Sequence, residues 1–162
     1  MAETLGSLID KLSIKNLRLW HLDEMIDGLP KKDAQRPVLE AKRRLVLRQQ
    51  QELLAEIDGF LVLAMQGKVR IRDEKIKLYV NRGAESSKGV LKLGEAVSEL
   101  ALRNIRLWHL EDEVRRPGLS DAQVVKVKRA IDSANQERND LMDKVDEILS
   151  GNVKVKKKKT SR

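Results

Sequence analysis

Ile14-Lys15-Asn16-Leu17-Arg18-Leu19-Trp20-His21-Leu22-Asp23-Glu24 returns along the chain as Leu102-Arg103-Asn104-Ile105-Arg106-Leu107-Trp108-His109-Leu110-Glu111-Asp112. The same shift of 88 residues, from Trp20 to Trp108, carries Leu5-Gly6 onto Leu93-Gly94 and Asp33-Ala34-Gln35 onto Asp121-Ala122-Gln123. The chain is a tandem duplication. Both tryptophans and both histidines lie inside the repeated segment, so whatever chemistry they carry is presented twice, on two related helices.

Working outward from Trp20, the apolar residues Leu5, Leu8, Ile9, Leu12, Leu19 and Ile26 recur at three- and four-residue steps and predict an amphipathic helix ending at Gly28-Leu29-Pro30. Leu93, Ala96, Val97, Leu100, Leu107 and Val114 predict its counterpart, stopping at Pro117-Gly118. A second helix starts at Pro37, where a first-turn proline costs nothing, and runs to about Gln66 before Gly67. Its counterpart starts at Ser120, which spells a capping box with Gln123, and ends at Gly151.

A helical hairpin alone buries too little apolar surface to stand, so the two repeats are expected to pack together. The fold class is therefore all-α: an antiparallel helical bundle of two tandem hairpins. Repeat one spans 5–66, the connector 67–92 and repeat two 93–151, within one domain over 1–152. With one Phe, one Tyr and two Trp in 162 residues, the core has to be built from Leu, Ile, Val and Ala. The connector opens with alternating basic and apolar residues, Gly67-Lys68-Val69-Arg70-Ile71-Arg72, and is expected to pack across a bundle end, with holding a partner as the alternative.

The formal charge of +8 points to nucleic acid or an anionic membrane until it is located. Lys154, Lys156, Lys157, Lys158, Lys159 and Arg162 supply six of those charges, leaving the body near +2. Residues 153–162 read as a disordered, solubilising basic tail, with RNA or anionic lipid as the alternative partner. The absence of cysteine fits a reducing cytoplasm, where we place the protein. No stretch reads as a signal peptide or a membrane span, because charge interrupts every apolar run.

At about 100° per residue, Asn16 and Asp23 fall within about 20° of each other on the core face, and Asn104 and Glu111 do the same in the second repeat. The partner helices bring Gln49 and Gln50, and Glu137 and Arg138, to a similar level. Unpaired, such groups cost several kcal/mol on burial, so they must satisfy one another or open onto a pocket. The first arrangement has Arg138 neutralising Asp23 or Glu111; the second makes these eight residues a small-ligand site between the repeats.

His21 and His109 lie on a secondary strip with Ile14, Leu17 and Met25, and with Leu102, Ile105 and Glu113. Each precedes a carboxylate by three residues, Glu24 or Asp112, a spacing that can ligate metal or move a proton. The carboxylate-bridged di-iron bundles need Glu-x-x-His instead, and Arg18 and Arg106 stand three residues before these histidines. Metal ligation by His21, Glu24, His109 and Asp112 is thus a weak alternative, and no cofactor is expected. Trp20 and Trp108 are expected in the core or at a subunit contact. There is no glycine-rich phosphate loop, triad or cysteine nucleophile, so catalysis is not expected.

Gly6-Ser7-Leu8-Ile9-Asp10-Lys11-Leu12-Ser13-Ile14 followed by His21 and Glu24 resembles the opening of a bacterial family, the domain-of-unknown-function family numbered forty-two fifty-four. Gln49-Gln50-Gln51-Glu52-Leu53 and Lys77-Leu78-Tyr79-Val80-Asn81 resemble later motifs of that family. An arginine of its pattern is Gln50 in the first repeat but is kept as Arg138 in the second, so a site using both would be halved. The resemblance implies an all-helical cytosolic protein, loosely associated with cell-surface glycan or lipopolysaccharide synthesis, and brings no catalytic residue. The expectation is a non-catalytic binding or accessory protein that forms a homodimer through apolar strips such as that of Ile14, Leu17 and Met25 and has other proteins as further partners. A small-ligand or metal-binding enzyme and a tail-mediated RNA or membrane binder are its rivals.

Overall fold

The structure is a computed structural model that describes residues 3–72, 87 and 89–160, the last seven as backbone only. It contains four helices, α1 (Leu5–Asp27), α2 (Arg36–Met65), α3 (Leu93–Val114) and α4 (Asp121–Thr160), and no strand among the described residues. The chain is all-α, and the helices pack pairwise as a bundle, α1 against α2 and α3 against α4. Most of the connector, including Lys77-Leu78-Tyr79-Val80-Asn81, lies outside the described residues.

Local chemistry sets the helix ends. Thr4 caps α1 in a box with Ser7: the Ser7 N–H donates to Thr4 Oγ1 at 3.3 Å and the Thr4 N–H to Ser7 Oγ at 3.0 Å. At the other end, the Arg36 guanidinium donates to the carbonyls of Ile26 (3.0 Å) and Leu29 (3.2 Å), tying the α1–α2 turn to the start of α2. Helix α2 stops at Gly67, whose φ of 73° is one that L side chains rarely adopt. There the Lys68 N–H donates to the Leu63 carbonyl and the Gly67 N–H to that of Ala64, closing a Schellman motif. The Ser120–Gln123 capping box forms as the sequence predicts, with the Ser120 N–H donating to Gln123 Oε1 at 2.9 Å.

One boundary differs. Helix α4 does not end at Gly151 but continues to Thr160, so the backbone of most of the expected tail is helical. Among the described residues the glycines with positive φ are Gly67 and Gly118 and not Gly151, and an interior helical glycine costs only about 1 kcal/mol. The lysines beyond it are good helix formers, and their charge suits a helix C-terminus.

The core gathers where the N-termini of α1 and α3 meet the C-terminal halves of α2 and α4. Leu5, Val90, Ala96, Leu100, Leu141 and Val145 form its centre. Helix α1 is the hub, touching the other three, whereas α2 lies along α1, and only Ile57, Phe60 and Leu61 reach the central cluster. The direction of α1 against α4 is antiparallel: Gly6 meets Asp146, and Asp10 meets Arg138. Two hairpins of one sequence pattern are thus joined asymmetrically, because α1 enters the groove between α3 and α4 and no helix enters the groove between α1 and α2.

Candidate functional site

Within each hairpin the repeat is preserved down to single bonds. Lys15 Nζ donates to Gln49 Oε1 at 2.7 Å, and the corresponding Arg103 Nε donates to Glu137 Oε2 at 2.6 Å. Glu137 also faces Arg106 at 3.8 Å. Gln49 and Glu137 therefore lock the hairpins and do not face a common cavity.

The polar residues expected at the bundle centre separate into different environments. Asn104 is buried (3% exposed), and its amide donates to Asp10 Oδ1 at 2.8 Å. Arg138 approaches the same oxygen at 3.8 Å. Asn16, by contrast, is exposed and accepts from the Gln50 amide at 2.6 Å. Asp23 is half-exposed and pairs with Arg43, whose guanidinium is held above its usual pKa by that hydrogen bond. Glu111 pairs with Arg115 at 3.1 Å, one turn on.

The expected pairing of Arg138 with Asp23 or Glu111 is thus corrected: its carboxylate is Asp10. The reason is the edge position of α2. A closed four-helix ring would turn Asn16 and Asp23 inward, but α2 reaches the central cluster only through Ile57, Phe60 and Leu61 toward its C-terminus, and Asn16 and Asp23 stay at the rim. Asp10 was not among the candidate residues. It belongs to the row Gly6, Asp10, Ile14, Leu17, His21, at steps of four, four, three and four, which extends the secondary histidine strip toward the N-terminus.

That row is what α1 presents to the second repeat. Ile14, Leu17 and Arg18 meet Asn104, Trp108, Glu111, Asn135 and Arg138 around an open cleft of about 350 Å³ between the repeats. The His21 ring lies flat on Trp108, with centroids 4.4 Å apart and planes 8° from parallel, while its Nδ1 is 3.1 Å from Glu24. Trp108 is therefore a contact between the repeats. Trp20 touches His21 edge-on but is 59% exposed, not in the core. Of the strip expected to form a dimer contact, Met25 is exposed, while Ile14 and Leu17 are partly buried beside the cleft between the repeats.

The histidine pair does not assemble. His109 is exposed, and Asp112 binds Arg115 at 3.3 Å. Among the described residues no three of His, Cys, Asp or Glu converge as a metal site would require. No helix among them is long and apolar enough to cross a membrane.

Compared with known families, residues 1–72 and 94–162 match the family described as "Protein of unknown function (DUF4254)". The chain belongs to this family. The match spans both hairpins of the DUF4254 chain and leaves out residues 73–93, most of the connector and the first residue of α3. No curated protein and no solved structure matches it.

Proposed function

We propose that this DUF4254 protein is a non-catalytic protein-binding module that works in the cytoplasm. The observation that carries this reading is the row of exposed apolar side chains on α3, with Leu102 50% and Ile105 40% exposed, together with the exposed indole of Trp20. Large apolar side chains in a contiguous row face water at a cost unless a partner covers them. The charged groups that could otherwise do chemistry are engaged with one another: Asp10 with Asn104 and Arg138, Asp23 with Arg43, Glu111 with Arg115, and His21 with Trp108 and Glu24.

Photo-crosslinking inside cells tests it. A photoreactive amino acid at position 102 should give a covalent adduct with a polypeptide, and one at the exposed position Lys128 on α4 should not. If position 102 captures no polypeptide, the reading is wrong. A second reading, a small anionic ligand in the cleft between the repeats, is favoured by one observation: Arg138 lines that cleft, and its buried Nε has no hydrogen-bond partner. Native mass spectrometry of freshly purified protein should then show a bound mass that Arg138→Met abolishes. A bare polypeptide mass sinks this second reading.

A further inference from the structure

Helix α1 presents Gly6, Asp10, Ile14, Leu17 and His21 to the groove between α3 and α4. Through the 88-residue shift, the same row on α3 is Gly94, Ser98, Leu102, Ile105 and His109. On α1 every member is buried or partly buried; on α3 every member is exposed, and a Cβ added to Gly94 would meet nothing. The receiving groove is duplicated as well. Asn104, Trp108, Met142 and Asp146, which hold α1, correspond to Asn16, Trp20, Leu54 and Asp58, and all four of these are exposed. The chain thus carries one filled copy of a helix-in-groove contact and both unfilled halves of a second.

We propose that the partner is a second copy of this chain, whose α3 enters the groove between α1 and α2 as α1 enters the groove between α3 and α4. This rests on the protein-binding reading above and names its partner. The contact joins two different surfaces, and two copies related by a two-fold axis would make it reciprocally, closing a ring of four hairpins. Trp20 would receive His109 as Trp108 receives His21, and Asp58 would accept the Gly94 N–H as Asp146 accepts that of Gly6.

The charge pattern fits the same pairing. In the filled contact a carboxylate, Asp10, faces Asn104 and the guanidinium of Arg138. In the unfilled one, Ser98 would face Asn16 and Gln50, so the acid and the base are absent together. An arginine at position 50 facing Ser98 would be buried without a counter-charge; Gln50 avoids this. At this level the charges cancel in both contacts, and the second leaves no guanidinium without a counter-charge.

The chain has no cysteine, so single cysteines report the contact directly. Full-length Asn16→Cys and Ser98→Cys chains are mixed and oxidised, and native mass spectrometry follows the unmodified chain and Leu102→Glu. The expected result is a two-copy mass, a disulfide between positions 16 and 98 of different chains, and loss of the two-copy species in Leu102→Glu with its helix content and cooperative unfolding retained. A monomeric unmodified chain, or a dimer that Leu102→Glu leaves intact, overturns the proposal. If position 102 then crosslinks in cells to a different polypeptide, self-association has failed and the protein-binding reading stands; if it crosslinks to none, both have failed.

Discussion

The backbone N–H of Gly6, in the first turn of α1, donates to the carboxylate of Asp146 on α4 at 2.8 Å, across 140 residues of sequence. A helix N-terminus has unsatisfied donors and a partial positive charge, and here a buried carboxylate from another helix meets both needs. Asp146→Ala should destabilise the protein by about 1.5–3 kcal/mol, the range for a hydrogen bond to a charged group, and Asp146→Asn by less. Urea unfolding checks the order. Equal effects from the two variants would mean that the charge contributes nothing.

Gly6 and Gly94 occupy the same repeat position with opposite consequences. A Cβ on Gly6 would run into the carbonyl of Met142, which is backbone and cannot swing away. Gly6→Ala should therefore cost about 1–3 kcal/mol, as overpacking does. Gly94→Ala should be neutral or stabilising by up to about 1 kcal/mol in the isolated chain. Thermal melts of the two variants at low protein concentration make the comparison.

The Asp10, Asn104 and Arg138 cluster and its neutral counterpart suggest a double-mutant cycle. Asp10→Ser alone leaves Arg138 facing no carboxylate and should cost more than the pair Asp10→Ser with Arg138→Gln, which recreates the residues of the other repeat. A coupling of about 1 kcal/mol or more is expected from denaturation of the four proteins. Additive effects would mean that the 3.8 Å approach is energetically idle.

His21 covers one face of Trp108. Removing it in His21→Ala should cost about 0.5–1.5 kcal/mol beyond lost area and let water reach the indole. In a Trp20→Phe background, where Trp108 is the sole tryptophan, the emission maximum should move to the red. An unmoved maximum would place the stacking outside the solution structure.

Glu3 sets a small pH dependence. Its carboxyl is held below the usual carboxylate range, chiefly by hydrogen bonds from Lys11 and Ser7. A depressed folded-state pKa means that the stabilisation is complete above the unfolded value and is lost as pH falls through the folded one. Stability measured from neutral pH down into the acid range should therefore fall more gently in Glu3→Gln. The difference will be modest, because the Glu3 and Lys11 side chains are 39% and 49% exposed.

The four helices, the cap at Ser120, the start of α2 beside Pro37 and the pairing within each hairpin were legible because they depend on local patterns: period, first-turn residues and a repeat shift. The candidate site was only half legible. Asn104, Trp108, Glu111 and Arg138 do meet around one cleft, but their repeat counterparts Asn16, Trp20, Asp23 and Gln50 do not join them. The error lies in the assumption that equal sequences find equal surroundings. Asp10 and His21, on the row that crosses between repeats, hold the actual contact.

By itself the sequence determined the units: two homologous helical hairpins, each with a core stripe, and each first helix with a second, weaker stripe carrying a histidine. Periodicity and capping act over a few residues and need no knowledge of neighbours. Which second stripe is covered was decided only in the tertiary structure. One chain has a single connection between its hairpins, so α1 can fill the groove of α3 and α4 while the equivalent row on α3 stays uncovered. Two copies of one pattern thus acquire different burial, and the difference leaves Trp20, Leu54, Leu102 and Ile105 facing outward.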